Sequence, residues 1–184
     1  MFDALKLDIP ETEFFNEDTS EFYYVKPCVL MLKHSLLSIS YWESRWKKAF
    51  IDPIEGSKTD AQTKDYIRCM TINKGVDPLV YRVLTDSDYD KIRKHIQDPM
   101  TATEIRMFNP QTTRKKITSE EIYHWMVTFN VPFECEKWHI NRLFALLEIC
   151  AIKSEGGKKM SNRDIMRQNM ELNEKRKREL GIEG

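Results

Sequence analysis

The sequence predicts a mainly α fold: a compact helical domain with a small β-hairpin and a C-terminal helical arm. Apolar residues recur at three- and four-residue steps through most of the chain, and Thr or Asp stands at the head of several of these runs. The stretch 103–117 breaks this pattern with an alternation.

In "LKHSLLSISYWESRWKKAF" the residues Leu32, Leu36, Ile39, Trp42, Trp46 and Phe50 share one face, which predicts an amphipathic helix of about five turns. "DPIEGSK" ends it, and Thr59 or Asp60 caps the next, whose face is Tyr66, Ile67 and Met70. Asp77 with Pro78 opens a short helix, and Thr85 or Asp86 opens another with Tyr89, Ile92 and Ile96 on one side. Ile105 and Met107 alternate with polar residues before the turn "NPQT", hence the expected hairpin near 103–117. Thr118 and Glu121 have capping-box spacing ahead of Ile122, Trp125, Met126 and Phe129. Pro132 stops that helix, and Glu134 to about Lys153 reads as the most apolar helix of the chain. "SEGGKKMSN" is a joint, and the apolar positions after it, Ile165, Met166, Met170 and Leu172, are too sparse for a core stripe. The expected organisation is an acidic segment 1–21, a helical domain 22–153, and a hinge with a basic helix at 154–184.

At 184 residues, 41% hydrophobic and 32% charged, the chain suits one globular domain with appendages. Its 29 basic and 29 acidic side chains cancel, which leaves no long-range field to gather nucleic acid or anionic lipid. Cys28, Cys69, Cys135 and Cys150 are irregularly spaced, the pattern of reduced thiols in a cytosol. No secretory signal is visible at the N-terminus, and apolar windows fall short of the roughly 18 residues of a membrane span. A soluble intracellular protein is expected. Local charge is less even: residues 1–21 carry seven acids against Lys6, and 158–184 carry eight bases against five acids. These are either two solvated ends or partners in electrostatic pairing, between copies or between the ends of one copy.

Chemistry has few candidates. Cys135 and His139 have the spacing of two metal ligands on one helix face, yet a closed zinc site needs four ligands and a catalytic one three plus water. No second pair stands at finger or ribbon spacing, and His34, His95 and His124 stand alone in the sequence, so a packed thiol beside a hydrogen-bonded imidazole is the expectation. No catalytic residue, metal or cofactor is expected. "GGKK" at 156–159 lacks the spacing of a phosphate loop, and Glu120 and Glu121 sit where a helix dipole favours acids. Trp42, Trp46, Trp125 and Trp138 are candidate partner anchors or core residues. Ile165, Met166 and Met170 are candidate contacts of the arm.

The ordered series "LKHSLLSISYWESRWKKAF", "DYIRCMTIN", "MTATE", "ITSEEIYHWM", "NVPFECEKWHINRLFALLEIC" and "KKMSNRDIMRQNMELNEKRKREL", covering roughly 30–180, resembles the bacteriophage tail assembly chaperone family of long-tailed phages. The resemblance implies a non-enzymatic protein that binds the tape measure protein and other copies of itself in the host cytoplasm, before the tail tube protein polymerises. It implies absence from the mature virion. Nine methionines, among them Met31, Met100, Met107, Met126 and Met160, suit a client with non-identical apolar segments. A structural virion protein of the tail or neck is the alternative; a nucleic-acid-binding role is disfavoured because 158–184 hold no aromatic residue for base stacking.

Overall fold

The computed structural model describes residues 3–17, 19–53, 57–104 and 116–156. The chain divides into two units, Met1–Ile149 and Cys150–Gly184, and of the second only the last turns of a helix lie among the described residues.

The protein is mixed α/β, and the mainly α expectation fails at the N-terminus. There β1 (Leu5–Ile9), β2 (Thr12–Asn16), β3 (Glu21–Val25) and β4 (Cys28–Leu32) form two antiparallel pairs, β1 with β4 and β2 with β3. "LKLDI" already carries a period of two: Leu7 and Ile9 are buried while Lys6 and Asp8 face solvent. Burial of one face stabilises the strand, and the charges sit harmlessly on the other.

The two pairs share one register. Ile9 lies opposite Cys28 and Thr12 opposite Val25, so Pro10 stands across from Pro27. Neither proline can donate to a ladder, which interrupts a single long ribbon at that level. Its base is tied to the helices: Ile72 N–H donates to Met31 O at 2.9 Å, Lys33 N–H to Met70 O at 2.8 Å, and Met31 N–H to the Asn73 side chain at 2.6 Å.

Helix α1 (Leu36–Trp46) is shorter than its sequence pattern, for Leu32 belongs to β4 and Phe50 follows the helix. Ser35 and Ser38 make a reciprocal capping box at its start, and Lys47 in the left-handed region, φ 54°, ends it. Thr59 caps α2 (Asp60–Met70) and Thr85 caps α3 (Asp86–Gln97), both at expected positions. Between them Asp77 caps Pro78–Arg82, a single 3-10 helix. The Thr118 and Glu121 box opens α4 (Ser119–Thr128). The long helix expected from Glu134 is instead a 3-10 helix, Phe133–Lys137, a break at Trp138 and His139, and α5 (Ile140–Gly156). The break has a partner, since His139 bridges to Ser35 and Ile140 N–H donates to His34 O at 2.9 Å.

Of the expected hairpin at 103–117, residues 105–115 lie outside the described residues; Ile117 pairs with Ile51, its N–H donating to Ile51 O at 2.9 Å. The expected basic helix, with Ile165, Met166 and Met170, also lies outside them. The core gathers Leu7, Leu30, Leu36, Ile39, Ile67, Met70, Ile122, Met126 and Phe144. Glu43 is among the buried acids: its carboxylate accepts Phe50 N–H and Ser119 N–H, both at 2.7 Å, joining the end of α1 to the start of α4. The second contact satisfies an unpaired N–H of the first turn of α4 with a negative charge at the favourable end of its dipole. No helix among the described residues is long and apolar enough to cross a membrane.

Candidate functional site

The four tryptophans separate by burial. Trp42 is 2% exposed, donates its Nε1–H to Gln62 O at 2.9 Å and stacks on Trp46, so in this conformation it is a core residue. Trp46 is half-buried, its Nε1–H on Asp65 at 2.8 Å, and Asp65 also pairs with Arg45 at 2.9 Å. Trp125 is half-buried on α4. Trp138 is half-buried at the break before α5, with the Arg142 guanidinium 4.4 Å over its ring. Met126, counted in the sequence among the adaptable methionines, is fully buried.

The exposed apolar surface is built from other residues. Tyr41 on α1, Val127 on α4 and Phe133 after α4 are 57%, 62% and 55% exposed. Half-buried Tyr123 is one helical turn from Val127 and feels the charge of Tyr41; its ring is 6.2 Å from that of Phe133, and its hydroxyl donates to Glu136 at 2.9 Å. Burial and this acceptor raise the Tyr123 pKa, so the hydroxyl stays protonated. Tyr41 and Val127 lie off the periodic faces of their helices, and that lone apolar residue on a polar side was the available sequence signal.

A second apolar surface lies at the tip of the ribbon. Alternation puts Glu13, Phe15, Phe22 and Tyr24 on one face, with Phe15 across from Phe22 and Glu13 across from Tyr24. Phe15, Phe22 and Tyr24 are 48%, 70% and 50% exposed. The two Phe rings are 5.0 Å apart, and the Tyr24 hydroxyl donates to Glu11 at 2.7 Å.

Inside the protein three histidines that stand alone in the sequence meet. The His139 ring is 5.1 Å from both His34 and His95, with edge-to-face geometry on each side. Asn141 N–H donates to His139 Nδ1 at 3.3 Å, which leaves Nε2–H to donate to His95 O at 3.0 Å. His34 Nδ1 pairs with the Tyr66 hydroxyl. His95 Nε2 is buried with no hydrogen-bond partner among the described residues. Burial pushes all three pKa values down, His34 well below 6.5 and His95 to about 4, so the cluster is neutral at pH 7. Beside it lies a cavity of about 560 Å³, lined by His34, Ile39, Phe50, Ile51, Ile96 and Ile140.

Cys135 and His139 do not share a helix face, because the 3-10 helix and the break intervene. Burial raises the Cys135 pKa, the opposite of what a thiolate nucleophile or ligand needs. Among the described residues no group of three or more His, Cys, Asp or Glu is arranged to hold a metal ion. The cluster is a neutral polar knot between the residue before α1's cap, helix α3 and the break before α5.

No protein-family model, curated protein or solved structure matches this chain.

Proposed function

We propose that this protein is a phage tail assembly chaperone, which binds the tape measure protein in the host cytoplasm, keeps it soluble while the tail is built, and leaves before the virion matures. The resemblance of residues 30–180 motivates the reading. The observation that carries it is the exposed apolar row Tyr41, Tyr123, Val127 and Phe133. An apolar patch on an otherwise well-closed core marks a contact surface. A helical client presents apolar residues at i, i+3, i+4 and i+7, and a row spread over two helices and a 3-10 turn accepts such a stripe. Tyr and Phe supply large contact area with few rotamers to immobilise. Contacts of this size are individually weak. Repeated along a long client they hold by avidity and release one at a time, as tube assembly requires. The protein performs no covalent step in this scheme.

Co-expression with a tape measure protein tests the proposal. Alone, the client precipitates, because its uncovered faces find each other; with this protein it stays in the soluble fraction and is retained in a pull-down. Val127→Asp combined with Phe133→Asp puts carboxylates into the contact and abolishes protection without disturbing the core. Unchanged client solubility, together with recovery of this chain from purified particles, would instead identify a structural tail or neck protein.

A further inference from the structure

We propose that the tip of the β-ribbon is an interface between copies of this protein, and that its occupant is the cationic run 175–178 (Lys175, Arg176, Lys177, Arg178) of a second copy. This contact uses none of the residues assigned to the client and stands independently of that assignment.

Residues 11–25 carry Glu11, Glu13, Glu17, Asp18 and Glu21 and no lysine or arginine, together with five aromatic residues. Three of the rings, Phe15, Phe22 and Tyr24, stand exposed on one face with Glu13. Exposed rings among carboxylates are complementary to cationic side chains in two ways. A guanidinium or ammonium over a ring face is held by the ring quadrupole, and its aliphatic stem covers apolar carbon. The neighbouring carboxylate then pairs with the cationic head. The bond from Tyr24 to Glu11 fixes ring and acid relative to each other, so part of the ordering cost is met before binding.

Charge selects the occupant. Two ribbon tips meeting edge to edge would oppose acids to acids, which disfavours strand pairing between tips. The chain's complementary sequence is its C-terminal run of four consecutive cations. The zero net charge of the molecule leaves no overall repulsion between copies, while the opposite signs of the two ends attract. A contact between the tip of one copy and the run of another closes as a reciprocal pair or propagates into rings or strings.

Sedimentation velocity on the full chain tests this. Between about 0.01 M and about 1 M salt the Debye length shrinks from roughly 30 to roughly 3 Å, and self-association weakens by roughly tenfold or more. A tip variant (Glu13→Gln, Phe15→Ser, Phe22→Ser) and a tail variant (Lys175→Glu, Arg176→Glu, Lys177→Glu, Arg178→Glu) each lose association to a similar degree. An equimolar mixture of the two variants forms one-to-one pairs, because one intact tip meets one intact run. A wild-type chain that is monomeric at about 100 µM and low salt overturns the proposal. So does a tail variant that associates like wild type, or a mixture that stays monomeric, the last meaning that the run docks elsewhere. The tail variant carries the test alone if the tip substitutions unfold the ribbon.

Discussion

Acidification should destabilise the fold through the histidine cluster. An unfolded histidine takes up a proton near pH 6.5, whereas folded His95 refuses one until about pH 4. His34 and His139 are displaced in the same direction. With folded values below unfolded ones, their contribution to stability is intact above 6.5 and is lost as pH falls towards each folded value. His95 alone, shifted by the difference between 6.5 and about 4, accounts for roughly 3 kcal/mol at a slope of at most about 1.4 kcal/mol per pH unit, and His34 and His139 add to it in the same direction. The groups around them partly oppose this: Asp98 and Asp3 favour the charged form of His95 and His139, while Lys58 disfavours that of His34 and Lys33 that of His139. Asp3 and Asp88 have lowered pKa values, so most of their stabilisation is lost as pH falls through 3.8 and below, under the histidine window. Urea denaturation midpoints between about pH 7 and about pH 4.5 measure the effect, and the expected loss is a large fraction of a typical 5–15 kcal/mol stability. His95→Leu removes one proton from the slope, whatever it does to stability at neutral pH. A stability that stays flat from pH 7 to pH 5, or a slope unchanged in His95→Leu, would refute the reasoning.

The buried Glu43 yields a second expectation: Glu43→Gln keeps one acceptor and costs about 1.5–3 kcal/mol, and Glu43→Ala, which leaves two buried N–H groups unpaired, costs more by thermal or chemical denaturation. Leu7→Ala should cost about 2–4 kcal/mol, because Leu7 is 1% exposed opposite Leu30; a surface-sized effect would mean that the N-terminal strand is dispensable. Elemental analysis of purified protein should find no stoichiometric zinc, and Cys135→Ala should lower stability only by its lost packing; metal that disappears with Cys135 would reverse the structural assignment of that thiol.

Local signals were legible and tertiary ones were not. Thr59, Thr85, Thr118 and the Asp77 and Pro78 pair mark element starts because a cap acts within one turn of chain. The α1 pattern overran at both ends because Leu32 and Phe50 stay in helical phase although Ser35 and Lys47 turn the backbone. The strands were masked by acidic composition, yet Leu5, Leu7 and Ile9 alternate, and Pro10 and Pro27 stand equally far from the tip. The histidine cluster had no sequence signature: His34 precedes α1, His95 lies on α3 and His139 in the break before α5, and they meet only when the chain has folded. Tryptophan spacing alone did not separate core from surface: Trp42 fills the core while Tyr41 beside it faces outward.

The Glu43 contact also sets a timetable for synthesis. Its acceptor Oε2 waits for Ser119, 76 residues later in the chain. At roughly 5–20 residues per second, that delay is about 4–15 s, during which α1 lacks its partner on α4 and the carboxylate must remain hydrated. The N-terminal ribbon and α1 therefore cannot complete their packing while the ribosome is still making the middle of the chain. Folding waits for the last third of the protein to emerge, which makes nascent chains, more than finished ones, the substrate on which folding factors and proteases act.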